Sequence, residues 1–241
     1  MTTRTYPYMS HMANARIAGF AFLFYIAVGV ANMVLFGGAT GAEGTAAKLA
    51  SIAQHAMDMR VSVVLGLLTP FVAMVLSTAL YAITRDQDRF LAMVAMICLF
   101  GAGVIDGIYI PTTLGLLSLA TGAGANVSDT SAAYALGSFL LTARAWNPII
   151  AATFFAVGST LFSWLLLRGR LIPVALAWLG VLASALLVVG LPLQLVGVLP
   201  ASITWFMYLP MAAFEIPLGL WLLIKGIAMP AARTVALASA D

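Results

Sequence analysis

Six apolar stretches fill most of this chain, and each is about long enough to cross a lipid bilayer. They cover residues 17–36, 61–83, 90–112, 147–167, 171–198 and 205–227. Only 8% of the residues are charged and 63% are hydrophobic, whereas roughly a quarter of a soluble domain is charged. Backbone polar groups that face lipid must be bonded within their own helix. The chain therefore predicts an all-α integral membrane bundle of six transmembrane helices.

The chain of 241 residues predicts one membrane domain between two short tails. We expect an N-terminal tail at 1–16, the six-span domain at 17–227 and a C-terminal tail at 228–241. The first apolar stretch is longer than the core of a signal peptide, so we interpret it as a retained first span. The single cysteine, Cys98, excludes an intramolecular disulfide.

The basic residues predict an orientation. With both termini inside, the outer segments hold only Lys48, Arg60 and Arg144, and all other Lys and Arg lie inside. This excess on one side is typical of the cytoplasmic face, so we expect both termini to be cytoplasmic. The basic residues are scattered at the ends of spans and do not form a patch. They therefore indicate the lipid bilayer as a partner and argue against nucleic acid.

Two long connections, 37–60 and 111–144, fall on the outer side in this topology. Each contains a stretch that is apolar on one helical face, at 45–59 and at 131–142. These patterns predict short amphipathic helices, and the pair Ser128–Asp129 could cap the second one. Such helices would either cover an outward-facing opening or only seal the bundle.

Ionisable groups at membrane depth are costly and by default indicate function. Asp106 is predicted in the outer third of span three, and Glu215 near the middle of span six. Neither can face lipid cheaply as an anion, so each should face the bundle interior, be paired or be protonated. Arg144 and Asn147 precede and open span four, and their spacing of three places them on one helical face.

These groups predict a polar pocket in the outer half of the bundle. The candidate ligand- or ion-binding residues are Glu215, Asp106, Arg144, Asn147, Arg60 and Asn32. In this hypothesis Glu215 is the deep anionic site or proton carrier. Asp106 and Arg144 form a gate pair, and Arg60 and Asn147 lie at the mouth. The alternative is structural, with Arg60–Asp58 and Arg144–Asp106 as ordinary ion pairs that lock the ends of spans.

No cofactor is expected. A membrane cytochrome needs several histidines within its spans, whereas this chain has two, His11 and His55. Zinc would need further ligands close to His55. A soft-metal path for Cu(I) through thioether ligands is a weaker alternative. Its residues would be His55, Met57, Met59, Met207 and Met211.

Four segments carry a family resemblance. They are ARIAGFAFLFYIAVG at 15–29, ALYAITR at 79–85, LLLRGRLIP at 165–173 and EIPLGLWLLIKG at 215–226. Together they resemble a widespread bacterial family of small six-span membrane proteins, catalogued as domain of unknown function 4386. The resemblance extends over 16–226 and implies a bacterial cytoplasmic-membrane protein without an established activity.

The resemblance also bears on individual residues. Glu215 matches an acidic position that family members carry before the closing Trp-Leu-Leu-Ile-Lys-Gly. Members also carry an acidic residue late in span one and a histidine near the start of span four. This chain has Asn32 and Trp146–Asn147 at those places. The resemblance therefore implies that any chemistry which needs those two groups is lost or altered here.

Three functional hypotheses follow from the sequence. The leading one is a multi-pass protein that binds or translocates a small ligand, a cation or a proton through the outer polar pocket. The second is an intramembrane enzyme that acts on a lipid or quinone-like substrate, with Glu215 or Asp106 as general acid or base. The third is a structural or partner subunit of a membrane complex. Stripes of small residues also permit a homodimer.

Overall fold

The computed structural model describes residues 7–122 and 130–228, and every regular element in those residues is an α-helix. The helices are α1 (Pro7–Thr40), α2 (Thr45–Gln54), α3 (Ala56–Thr84), α4 (Arg89–Gly107), α5 (Tyr109–Thr121), α6 (Thr130–Arg168), α7 (Val174–Leu195) and α8 (Ala201–Ile224). The predicted all-α fold is confirmed. The predicted cap at Ser128–Asp129 and the tail at 229–241 lie outside the described residues.

Six helical stretches within the described residues are long and apolar enough to span a membrane. They are His11–Thr40, Ala56–Thr84, Arg89–Thr121, Ser131–Arg168, Val174–Leu195 and Ala201–Ile224. Large apolar side chains point outward along them, as Phe20, Phe71 and Leu182 do at 62%, 63% and 63% exposure. The protein is therefore a multi-pass membrane helical bundle whose outer surface is apolar, as a lipid environment requires.

Spans three and four are longer than the sequence predicts. Span three continues through α5 to Thr121, and span four begins at Ser131. Most of the described residues in the predicted connection at 111–144 are therefore helical. The short helix predicted at 131–142 is present as the first turns of α6 and is not separate from it. The other predicted short helix is α2, which ends at Gln54, just before α3 begins.

The longer spans place two charged residues farther from the helix ends than the sequence predicts. Asp106 was expected in the outer third of span three, but it lies about halfway along Arg89–Thr121. Arg144 was expected before span four, but it lies well inside Ser131–Arg168. The sequence reading erred because the polar residues near these positions were taken as the ends of the helices. Both residues are inside the bundle.

Span three is interrupted between α4 and α5. The break is at Ile108, whose N–H donates to the carbonyl of Ile105 at 3.0 Å instead of to the residue four positions back. Pro111 lies three residues later. Proline has no N–H and its ring crowds the preceding turn, so the regular bonding pattern fails just before it. The break leaves Asp106 and Tyr109 on either side of an irregular turn.

The six spans close into a ring. Each of the pairs α1–α3, α3–α4, α4–α6, α6–α7, α7–α8 and α8–α1 is in contact. Glycines allow close approach at several crossings. A Cβ on Gly158 of α6 would lie 2.9 Å from the carbonyl oxygen of Ala95 in α4, and one on Gly219 of α8 would lie 2.9 Å from Leu23 of α1. Small residues at crossings are typical of helices packed in lipid.

The two ends of the bundle differ in composition. The terminal end contains the start of α1 and the end of α8. There His11 approaches Asp86 at 3.7 Å, and the N–H of Ala228 donates to the carbonyl of Leu171 at 2.9 Å. The opposite end, called the α2 end, is covered by α2. The apolar face of α2 packs there into a small cluster through Leu49 and Ile52, as its amphipathic pattern predicts.

Candidate functional site

Polar side chains from four neighbouring spans meet between the middle of the bundle and the α2 end. The members of this polar cluster are Tyr25, Asn32, Ser62, Asp106, Tyr109, Arg144 and Asn147. Four of them, Asn32, Asp106, Arg144 and Asn147, were predicted as site residues. Three of those four make a contact with another member of the cluster, and Asn147 bonds to the backbone beside Asp106.

Arg144 is the most unusual member of the polar cluster. This residue is only 7% exposed, and its guanidinium lies over two aromatic rings. The guanidinium carbon is 3.6 Å from the ring centre of Tyr109 and 4.4 Å from that of Phe36. Such cation–π contacts stabilise a desolvated cation. The Nε atom of Arg144 is nevertheless buried without a hydrogen-bond partner among the described residues.

Asn32 connects α1 to two other helices. Its Nδ2 donates to the hydroxyl of Tyr109 at 2.5 Å, and its Oδ1 accepts a hydrogen bond from the hydroxyl of Ser62. Tyr109 in turn presents its ring to Arg144. The amide of Asn32 therefore fixes the orientation of the ring on which the guanidinium lies.

Asp106 and Tyr25 meet across α4 and α1. The hydroxyl of Tyr25 donates to Oδ2 of Asp106 at 3.5 Å, and the Tyr25 ring stacks on Phe155 of α6 with the centroids 6.0 Å apart. Asp106 and Arg144 are close enough to interact electrostatically. They do not form a direct ion pair, since no described atoms of the two groups come within salt-bridge distance. The predicted ordinary ion pair is therefore absent from this structure.

Asn147 contacts the break in span three. Its Nδ2 donates to the carbonyl oxygen of Ile105 at 2.9 Å, six residues before Pro111. This carbonyl also accepts from the N–H of Ile108, so Asn147 is its second donor and ties α6 to the break inside the bundle. The three-residue spacing places Asn147 on the same side of α6 as Arg144, as predicted. Asn147 thus holds α6 against the turn that carries Asp106.

Glu215 lies near the middle of α8, away from the main contacts of the polar cluster. It is half-buried, and within the described part of the chain it has no hydrogen bond or ion pair. Its carboxylate is within electrostatic range of the Tyr25 hydroxyl, the same group that bonds to Asp106. Tyr25 is therefore the member of the polar cluster through which Glu215 can interact with it.

Arg60 is not part of the polar cluster. It is exposed on the first turns of α3 and pairs with no described residue, Asp58 included. The ordinary Arg60–Asp58 ion pair that the structural alternative expects is therefore absent too. Arg60 lies near the α2 end, and its position at the mouth of a pocket stays a prediction.

The soft-metal residues are not brought together. Met57 is 71% exposed, whereas Met59 is fully buried in the apolar cluster beneath α2. Met211 belongs to the main apolar core, and Met207 packs against it. His55 is exposed, and its Nδ1 lies 2.9 Å from the carbonyl oxygen of Ser51. Among the residues that the structure describes, no three His, Cys, Asp or Glu side chains are grouped to hold a metal ion either.

Sequence reasoning missed four aromatic and hydroxyl residues at the site. They are Tyr25, Phe36, Ser62 and Tyr109. Tyrosine, phenylalanine and serine are common in membrane helices, so their identity alone carries no signal. The spacing of seven between Tyr25 and Asn32 could have indicated that both face the same side of α1.

Comparison with known proteins yields one match. No curated protein and no solved structure matches the chain. A family model described as domain of unknown function (DUF4386) matches residues 17–226. That range holds nearly all of the six spans, the polar cluster and Glu215. The chain therefore belongs to the family described as domain of unknown function DUF4386.

Proposed function

We propose that this protein binds a small amphiphilic molecule with an acidic head group in the polar cluster. The observation that carries the proposal is Arg144, a buried guanidinium over two aromatic rings whose Nε has no partner among the described residues. A buried charge without an acceptor is destabilising, and an ionisable group inside a membrane bundle by default indicates a functional site. Arginine presents a planar fork of donors that matches carboxylates and phosphates.

The surroundings of Arg144 support an amphiphile rather than a free inorganic anion. Two aromatic rings cover the guanidinium, which leaves its edge as the place for an acceptor. The bundle around the cluster is apolar, and its outer surface borders on lipid. In this proposal Asn32 and Asn147 position the helices around the site through their hydrogen bonds. Asp106 and Arg144 act as the gate pair, and Arg60 lies at the mouth of the pocket.

The proposal also includes an orientation in the membrane. Among the described residues, the terminal end carries the basic residues Arg16, Arg85, Arg89, Arg168, Arg170 and Lys225. Its acidic residues are Asp86 and Asp88. At the α2 end, Lys48 and Arg60 are balanced by Glu43 and Asp58. This asymmetry supports cytoplasmic termini in a bacterial inner membrane, with the polar cluster opening to the outer side.

Decanoate and decanol test this proposal, because they share a chain length and differ in the head group. The full chain is placed in lipid nanodiscs, and its unfolding temperature is measured with each compound. We expect decanoate to stabilise the protein, by about 2.7 kcal/mol when its free concentration is a hundred times its Kd. Decanol should change the unfolding temperature only as far as it perturbs the surrounding lipid.

Three variants make the test specific. Arg144→Met should abolish stabilisation by decanoate, and the matched control Arg89→Met should preserve it, because Arg89 is exposed at the far end of the bundle. Equal stabilisation of Arg144→Met and wild type would exclude a ligand at Arg144. Arg144→Lys should bind more weakly than wild type, since an ammonium lacks the two-donor fork.

A second candidate function is proton or cation transfer through Glu215. The observation that favours it is the half-buried Glu215 carboxylate, which lacks a partner among the described residues and lies within range of Tyr25. In proteoliposomes with a pH gradient, wild type should dissipate the gradient and Glu215→Gln should not. A folded Glu215→Gln variant with wild-type flux would eliminate this role.

A further inference from the structure

A groove at the terminal end lies on the opposite side of the bundle from the polar cluster. It runs between the turn after α6 and the last residues of α8, and it has a volume of about 390 Å³. Residues 170–173 line one wall, and Trp221 with 225–228 lines the other. The hydrogen bond from the N–H of Ala228 to the carbonyl of Leu171, at 2.9 Å, joins the two walls. We call this feature the terminal groove.

The terminal groove is cationic. Arg170 and Lys225 stand on its two walls, both are exposed, and neither pairs with another described residue. No acidic side chain is among the described residues that line it. The neighbouring Arg168 differs, since it approaches Asp88 at 3.8 Å. The two groove cations are therefore available to an anion.

Arg170 occupies a backbone conformation that favours glycine, which suggests that its side chain has a role. The end of α6 is a Schellman turn, with the N–H of Leu171 bonded to the carbonyl of Leu166 and that of Arg170 to Leu167, both at 3.0 Å. Its left-handed position has φ +48° and is occupied by Arg170. Glycine is the usual residue at that position because a Cβ is strained there. The corresponding left-handed residue after α8 is Gly226.

We propose that the terminal groove binds the phosphate head group of an anionic phospholipid. The groove lies where α6 and α8 end, so a bilayer around the spans would bring its head groups close to it. Trp221 is 36% exposed beside the groove, as interfacial tryptophans are. Basic residues near a membrane surface attract anionic lipids. The alternative is that Arg170 and Lys225 only interact with the carbonyl ends of α6 and α8, which requires no arginine at a strained position.

Native mass spectrometry of the full chain in a mild detergent tests the proposal. The protein is offered equal amounts of phosphatidylglycerol and phosphatidylcholine. Wild type should retain phosphatidylglycerol preferentially, and each of Arg170→Gln and Lys225→Gln should reduce the preference by roughly five-fold. Arg89→Gln is the matched control, with the same change of charge at the same end on a helix that does not contact α7 or α8. It should keep the wild-type preference.

Arg170→Gly separates a lipid site from a structural role. Glycine relieves the strain at φ +48°, so the unfolding temperature should be unchanged or higher while the preference for phosphatidylglycerol falls as in Arg170→Gln. An equal loss of preference in Arg89→Gln, or a wild-type preference in the double variant Arg170→Gln/Lys225→Gln, would overturn the proposal. Since both side chains are exposed, these variants leave the apolar core unchanged.

Discussion

At the scale of single residues, Arg144 determines what the centre of this bundle can accommodate. A cation that is 7% exposed at membrane depth is expensive, and the rings of Tyr109 and Phe36 offset only part of the cost. Asp106 is near but not in contact, so the charge is not neutralised by a direct pair. This arrangement favours a binding site for a hydrogen-bond acceptor over a purely structural role for Arg144.

Replacement of Arg144 by methionine should separate stability from binding. Methionine keeps most of the length and removes the charge, and buried ionic groups can often be replaced by apolar ones at little cost. We expect the free energy of unfolding of Arg144→Met to stay within about 1 kcal/mol of wild type in ligand-free detergent micelles. A loss of several kcal/mol, measured by denaturant unfolding, would instead mean that Arg144 holds the fold together.

Asn32 should behave in the opposite way, because its amide bonds to two other helices. Asn32→Leu has a similar volume and removes both the bond to Tyr109 and the bond from Ser62. We expect a loss of about 1 to 2 kcal/mol, as hydrogen bonds between membrane helices contribute about 0.6 and at most about 1.7 kcal/mol each. The control Thr160→Val removes only a bond to its own helix, at Ala156, and should change stability far less.

The sequence identified several acidic, basic and amide residues of the site, but it did not identify the groups that they contact. Asp106, Arg144 and Asn147 stand out because polar groups are rare in apolar stretches, and lipid excludes them from the outer surface. Which groups they meet depends on how the helices rotate and cross. The cation–π contact to Tyr109 and the bond to Ile105 follow from the break at Ile108, which the sequence analysis did not identify.

At the scale of helices, glycine crossings and the broken span position the polar cluster. Asp106 is on α4 and Arg144 is on α6, and these two helices are held close where Gly158 meets the backbone of Ala95 and Leu99. The spans themselves were predictable, because each contains a long apolar run. Their ends were not, because the polar residues at 113–121 and 131–144 are compatible with helix and continue spans three and four.

A larger residue at Gly158 should separate α4 from α6. An added Cβ would lie 2.9 Å from the carbonyl oxygen of Ala95 and 3.0 Å from the N–H nitrogen of Leu99, and backbone atoms cannot move aside easily. We expect Gly158→Ala to lower the free energy of unfolding by about 1 to 3 kcal/mol. Denaturant titration in detergent micelles measures this loss.

Gly101→Ala, in α4, provides the matched control for that substitution. The nearest atom to its added Cβ is Cδ1 of Phe154, at an ordinary 3.7 Å. We expect no loss, and a gain of up to about 1 kcal/mol from the better helix propensity of alanine. Equal destabilisation by both substitutions would show that the α4–α6 crossing is not the tight contact described.

At the scale of the whole molecule, the closed ring of six spans separates two chemically different ends. Among the described residues, the terminal end has more basic than acidic side chains, and the α2 end is covered by a short amphipathic helix above the polar cluster. The sequence predicted this division because the sum of the charges does not depend on how the helices pack. It could not predict the closure of the ring through α8 and α1, which depends on the fit at Gly19 and Gly219.

Cysteine labelling in intact cells should report the orientation. In a Cys98→Ser background, Glu43→Cys marks the α2 end and Arg85→Cys marks the terminal end, and both positions are exposed. With cytoplasmic termini, a membrane-impermeant maleimide should label Glu43→Cys in intact cells, and Arg85→Cys only after lysis. The reverse pattern would contradict the proposed orientation and place the polar cluster nearer the cytoplasm.

The most direct test of the account is a cryo-electron microscopy map of the full chain, extracted from its own membrane into nanodiscs without added ligand. The account predicts non-protein density between the spans, with an acceptor atom at about 3 Å from Nε of Arg144. A map in which every guanidinium nitrogen of Arg144 bonds to protein, with no density beside it, would contradict it.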